Sequence, residues 1–272
     1  KVTFDPINRP GPIDKSITVS SNATKPLVVL TLGGFVKEKV KDVSDLYPRK
    51  IGELRMQTSH LAFTRIDPDA VVTNKVGVVN TSSNPISVRL SGIPAHLKVE
   101  VKPSTLKPNE KGVIMVAYDA KKKNDWGFVV DNMSVLVDDK AYDDCRFTVS
   151  ATIEEDYSKM TPAEMAAMPT VKFDRTTYDF GEVSEGKTVV YEYTFSNLGK
   201  KDLIIRKIGT SCGCTTGTPS GTVIKPGESG SIKVSFGTSG YSNRQGKTIT
   251  VVTNDPKNPS IILRLTGNVK SK

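Results

Sequence analysis

The chain is poor in the residues that most often carry chemistry. It has three Cys, two His and one Trp in 272 residues. Three cysteines exclude a disulfide-dense scaffold, and two histidines with three cysteines scattered over the chain exclude a zinc finger with its four ligands. Aromatic residues make up 7% of the chain and alternate along strands as core residues do, which does not favour the aromatic platforms of a sugar-binding surface. No run approaches the roughly 20 apolar residues of a membrane-spanning helix. Gly-x-Ser-x-Gly is missing, as is any phosphate-cradling Gly loop; Gly33-Gly34 reads as the end of a strand. His60 and His96 stand 36 positions apart with no Cys or Glu at ligand spacing, and they read as solvated or internally satisfied side chains.

What is present is ordinary globular composition, with 37% hydrophobic and 25% charged residues, and a net charge of +9. The basic excess is spread out. Residues 1–50 carry 9 basic and 5 acidic groups, residues 51–153 carry 13 and 12, and residues 154–272 carry 16 and 12. That dispersion argues against a nucleic-acid footprint, and Lys121-Lys122-Lys123 beside Asp125 reads as a solvated loop.

Internal repetition organises the chain. Lys247-Thr-Ile-Thr-Val-Val-Thr-Asn254 parallels Lys15-Ser-Ile-Thr-Val-Ser-Ser-Asn22, and Pro259–Val269 parallels Pro26–Val36. Lys233-Val-Ser-Phe236 likewise parallels Lys1-Val-Thr-Phe4. Residues 1–36 therefore read as the last three strands of a truncated domain, with Phe4, Ile17, Val19, Val28, Leu30 and Leu32 facing inward and no second sheet to cover them. The expectation is that the native chain extends upstream or that this segment docks on another surface. In the middle of the chain, Leu106-Lys-Pro-Asn-Glu110 overlays Ile224-Lys-Pro-Gly-Glu228, and the segment ending at Asn80 resembles the one ending at Asn197.

Each copy alternates apolar and polar residues, as in Val189, Tyr191, Tyr193 and Phe195 against Val190, Glu192 and Thr194. About seven short strands per hundred residues, separated by Pro- and Asn-containing turns, specify an all-β chain of tandem immunoglobulin-like β-sandwiches. The expected divisions are 1–36, a linker at 37–50, a diverged sandwich at 51–153, a linker at 154–168 and a final sandwich at 169–269. Within the second linker, Thr161-Pro162-Ala-Glu164 has the order of a helix N-terminal capping box.

The copy at 170–269 resembles a bacterial family known as domain of unknown function 1573. The resembling residues are Tyr178-Asp-Phe-Gly-Glu-Val183, Phe195-Ser-Asn197, Ser211-Cys-Gly-Cys-Thr215, Ile224-Lys-Pro-Gly227 and Lys233-Val-Ser-Phe236. The resemblance implies kinship with the immunoglobulin-like domains of major sperm protein and of cilium-associated proteins. It also implies an exported, often lipid-anchored protein, in the periplasm or on the cell surface of a Gram-negative bacterium. The middle copy departs from the pattern, with Ile93-Pro-Ala-His-Leu97 near the place of the Cys-Gly-Cys string.

Cys212 and Cys214 are the sharpest candidates for chemistry. The leading reading packs them as small apolar residues at a strand–loop junction, with Gly213 allowing a tight backbone; a closed disulfide and a soft-metal site are the alternatives. Cys145, beside Phe147 and Val149, reads as an unpaired buried thiol. Trp126, in Asn124-Asp-Trp-Gly-Phe128, reads as either a core anchor or a loop aromatic that contacts a sugar or a protein. Neither a catalytic constellation nor a cofactor is implied. The sequence thus points to a non-enzymatic structural or protein-binding module whose partners are other proteins of the cell envelope. A redox or metal-binding protein using the Cys-Gly-Cys pair and a carbohydrate-binding module are the alternatives.

Overall fold

The computed structural model describes residues 2–7, 9–38 and 40–271. The chain divides into two compact units, residues 1–48 and 49–272.

The first unit holds a two-stranded antiparallel hairpin, β1 (Gly11–Ser20) and β2 (Leu27–Val36), and one helical turn, α1 (Val43–Leu46). This corrects two sequence expectations. Residues 2–6 form no strand, so the segment carries two strands rather than three. Gly33-Gly34 lies inside β2 rather than ending it, because both residues pair with β1, at Asp14 and Ile13. The stretch 37–50 is also not a plain linker. Asp42 caps α1 by accepting from the Asp45 N–H while the Asp45 carboxylate accepts from the Asp42 N–H, which satisfies donors that a helix start leaves open.

The second unit holds two sandwiches, each with its own apolar core. The middle one runs β3 (Arg49–Ile51), β4 (Leu54–Met56), β5 (His60–Ile66), β6 (Val71–Asn80), β7 (Ile86–Ser91), β8 (Leu97–Lys102), β9 (Thr105–Leu106), β10 (Lys111–Asp119), α2 (Ala120–Lys123), β11 (Gly127–Val137) and β12 (Lys140–Ile153). Its sheets are β3-β4-β6-β10-β8 and β5-β12-β11-β7-β9.

The C-terminal sandwich follows α3 (Pro162–Ala167), which carries the Thr161/Glu164 capping box with Pro162 at its start. Its strands are β13 (Val171–Phe173), β14 (Thr177–Ser184), β15 (Thr188–Asn197), β16 (Leu203–Thr210), β17 (Thr215–Pro219), β18 (Val223–Ile224), β19 (Ser229–Gly237), β20 (Asn243–Thr253) and β21 (Ser260–Lys270). Its sheets are β13-β15-β19-β17 and β14-β21-β20-β16-β18. Apart from β3, the two sandwiches share one topology, including a parallel edge pair, β5 with β12 and β14 with β21.

Equivalent residues confirm the overlay. Asn80 Nδ2 donates to the carbonyls of Asn84 and Leu106, and Asn197 Nδ2 donates to those of Lys201 and Ile224. Both asparagines are fully buried, where an unpaired amide would be costly. The turn after each also matches: Asn109 takes φ 60° where Gly227 takes 79°. This is the left-handed region that asparagine and glycine tolerate best.

The hairpin β1–β2 repeats β20–β21 in register. Ile17 pairs with Leu30 and Val19 with Val28, as Ile249 pairs with Leu263 and Val251 with Ile261. In the C-terminal sandwich Ile249, Val251, Leu263 and Leu265 are completely buried. In the first unit Val19, Val28, Leu30 and Leu32 are 41–50% exposed. The same residue pattern thus makes a core face in one place and an open face in the other.

Candidate functional site

The loop Ser211–Cys214 joins β16 of one sheet to β17 of the other, at one corner of the C-terminal sandwich. Cys212 and Cys214 form a disulfide across it, with Sγ–Sγ 2.05 Å and Cα–Cα 5.3 Å. This corrects the leading expectation of two packed thiols. Gly213 between them has an ordinary backbone conformation and open space where a Cβ would sit, so the turn that brings the sulfurs together does not depend on a glycine there. Cys214 packs against the core cluster, while both cysteines stay half-buried. The soft-metal alternative needs free thiolates, and among the described residues no group of three or more His, Cys, Asp or Glu is placed to hold a metal ion.

The loop is anchored without the disulfide. The Ser211 N–H donates to the Thr248 carbonyl at 3.0 Å, and the Thr248 N–H donates to Ser211 Oγ at 3.1 Å. Gly237 N–H donates to the Cys214 carbonyl at 3.0 Å, and the Cys212 carbonyl accepts from Thr215 N–H and Thr210 Oγ1. Thr215, 2% exposed, directs its hydroxyl at the sulfurs, 3.4 Å from Cys212 Sγ and 3.7 Å from Cys214 Sγ.

The same corner exists in the middle sandwich with different chemistry. His96 precedes β8 as Cys214 precedes β17, and Tyr118 pairs with Leu97 as Phe236 pairs with Thr215. His96 Nε2 lies 3.0 Å from Asp131 Oδ2, Lys123 Nζ lies 2.7 Å from Asp131 Oδ1, and the Tyr118 hydroxyl donates to Oδ2 at 3.4 Å. Burial alone would push the Asp131 carboxyl up, but its hydrogen bonds from Lys123 and His96 outweigh that and hold it below the usual carboxylate range. Burial, with the Asp131 charge beside it, pushes the Tyr118 phenol up. A buried carboxylate with three donors is a satisfied cluster, so His96 is an internally paired histidine, as the sequence suggested.

In the C-terminal corner the carboxylate is replaced by a cation. Lys247 lies opposite Leu265 on the buried face of β20, as Asp131 lies opposite Val149 on the buried face of β11, and it is 7% exposed. Its Nζ lies 3.8 Å from the Tyr241 ring centroid and 4.7 Å from that of Phe236, and it donates to Gln245 Oε1 at 3.2 Å. Burial lowers its pKa. Tyr241 follows Phe236 by the same five positions by which Lys123 follows Tyr118. A lysine on a carboxylate in one copy has become a tyrosine ring under a lysine in the other.

Trp126 belongs to a domain junction. The Arg206 guanidinium lies 4.4 Å from its ring centroid, Arg206 Nη2 donates to Glu155 Oε1 at 2.6 Å, and Lys207 Nζ lies 2.7 Å from Asp125 Oδ1. Tyr157 donates to the Asn254 carbonyl at 3.2 Å. Nearby, a Cβ on Gly127 would come within 2.8 Å of Val252, so the two sandwiches meet closely here. Trp126 therefore holds one sandwich against the next, and the reading of a free loop aromatic is corrected. His60 Nε2 lies 2.7 Å from Ser150 Oγ, and Cys145 is a free, half-buried thiol packed on the middle core.

The class is an all-β chain of tandem sandwiches linked by a packed junction. Residues 171–269, the C-terminal sandwich, match the family described as "Protein of unknown function (DUF1573)". No curated protein matches the chain. A solved structure of a protein of unknown function from Porphyromonas gingivalis W83 is 19% identical, with a TM-score of 0.55 over 80% of this chain and 100% of that one. It shares the fold. Two further structures are more distant. The ASH / PapD-like domain 7 of human CEP192 is 11% identical, with a TM-score of 0.34 over 44% of this chain and 97% of its own. The YadV chaperone is 13% identical, with a TM-score of 0.30 over 78% and 100%.

Proposed function

We propose that the protein is a non-enzymatic structural and protein-binding module of the cell envelope, exported to the periplasm or surface of a Gram-negative bacterium. The observation that carries this reading is the β1–β2 hairpin. It shares residue pattern and register with a hairpin that is a sandwich core, yet Leu27, Val28, Val29, Leu30 and Leu32 stand exposed on both its faces. Exposed apolar area with open strand edges is the chemistry of a surface that another polypeptide covers. The junction around Arg206 supports a spacer role, since it makes the two sandwiches one compact unit. The Cys212–Cys214 disulfide supports export, because such bonds persist in oxidising compartments.

The test is fractionation of the producing bacterium, with cysteines blocked at lysis. The protein should be found in the envelope or periplasmic fraction with Cys212 and Cys214 oxidised. Recovery in the cytosol with both cysteines reduced would overturn the reading.

A further inference from the structure

We propose that Cys212 and Cys214 form a thiol–disulfide exchange site, with the buried Thr215 hydroxyl as the group that receives the thiolate formed on opening. The proposal goes beyond the module reading, which uses the same disulfide only as a mark of export, and its test is made on the purified chain.

Three observations carry it. First, the bond closes a very short loop, spanning two peptide steps, so it removes little chain entropy and is a poor staple. Second, the loop does not need it. Ser211 is tied to Thr248, and Cys214 to Gly237, by backbone hydrogen bonds that survive opening of the bond. Third, Thr215 is a buried residue, and its hydroxyl is aimed at the two sulfurs. A disulfide sulfur is a weak acceptor, whereas a thiolate is a strong one. A buried hydroxyl directed at both sulfurs is therefore better matched to the reduced, ionised state than to the oxidised one. Lys247 places a cation on the rings of Tyr241 and Phe236, and Phe236 is the residue that pairs with Thr215.

The co-reactant is a dithiol. Its thiolate attacks Cys212 Sγ, because Cys214 packs against the core. The Sγ–Sγ bond breaks and its electron pair leaves on Cys214 Sγ, where the Thr215 hydroxyl donates to the new thiolate. The second thiol of the co-reactant, deprotonated, then attacks its own sulfur in the mixed disulfide and expels Cys212 as a thiolate. Two electrons and two protons pass to the protein: the dithiol becomes a disulfide, and Cys212 and Cys214 become thiols. The reverse sequence oxidises a partner dithiol.

The experiment uses the full chain carrying Cys145→Ser, so that two cysteines remain. Dithiothreitol is added without denaturant, samples are quenched in acid and alkylated, and tags are counted by intact mass while near-UV circular dichroism follows the fold. The expected result is two tags per chain with an unchanged spectrum. Thr215→Val should slow the exchange roughly tenfold, the loss expected when a hydrogen bond to a charged group is removed, and Thr215→Ser should restore it. If Thr215→Val fails to fold, Thr215→Ala takes its place, with the same slowing expected and an unchanged rate again overturning the proposal. Tags that appear only once the spectrum collapses, or a Thr215→Val chain that exchanges at the parent rate, would overturn the proposal.

Discussion

His96 and Cys214 hold the same place in consecutive sandwiches. The His96 carbonyl accepts from the Asp119 N–H at 3.0 Å, and the Cys214 carbonyl accepts from the Gly237 N–H at 3.0 Å. Each donor follows the inward aromatic of its central strand, Tyr118 or Phe236. One backbone corner thus carries a histidine–carboxylate cluster in one copy and a disulfide beside a buried lysine in the other. The backbone bonds keep the corner, and the side chains are free to differ.

The middle corner should be sensitive to loss of its carboxylate. Asp131→Ala leaves His96 buried and Lys123 half-buried without their partner, and about 3 kcal/mol of stability should be lost in urea unfolding. The folded carboxyl is held below its ordinary range. Its contribution is therefore complete above the unfolded pKa and disappears as pH falls through the folded one. Asp131→Asn should flatten that acid limb; an unchanged acid dependence would separate the cluster from acid stability.

Arg206→Ala should loosen the junction. It removes the guanidinium from the Trp126 ring and from Glu155, at a cost of about 1–2 kcal/mol. Trp126 is the single tryptophan, so its emission reports the change directly: a red shift is expected, with two resolved unfolding transitions in calorimetry replacing one.

The Asp-Phe-Gly string of the C-terminal domain has a packing role. A Cβ on Gly267 would come within 2.3 Å of the Phe180 ring. Gly267→Ala should displace that ring from beneath β21 and cost about 1–3 kcal/mol, read as a lowered thermal midpoint. An unchanged midpoint would mean that Phe180 does not need the glycine.

Replacing Cys212 and Cys214 together with Ser should cost about 1–2 kcal/mol, the chain-entropy value for so short a loop. Urea unfolding of the variant against the oxidised parent measures it. A cost of 4 kcal/mol or more (well above ~2) would make the bond a structural staple.

Much of the fold was legible because it is written twice. The alternation at Val189–Phe195, the turns at Lys107 and Lys225, and the matched Asn80 and Asn197 are local patterns with local causes. The Thr161/Glu164 cap was legible for the same reason. What escaped was pairing at a distance. Nothing in the sequence ties Asp131 to His96 and Lys123, or Trp126 to Arg206, because those partners meet only when strands from different sheets or domains are brought together. The spacing of Cys212 and Cys214 fits packed thiols as well as a bond, and only the folded loop, which sets their Cα atoms 5.3 Å apart, distinguishes them. In the first unit, similarity to Lys233–Phe236 suggested a strand near Phe4, but no neighbouring strand is present among the described residues for it to pair with.

The account stands most directly on the open hairpin. A photoreactive amino acid placed at Val29 or Leu30, on opposite faces of β2, should form a discrete adduct with an envelope protein when the producing bacterium is irradiated. The same group at Thr250, within the complete C-terminal sandwich, should form none. Equal labelling from all three positions, or none from the hairpin, would contradict the reading of β1–β2 as the surface that a partner covers.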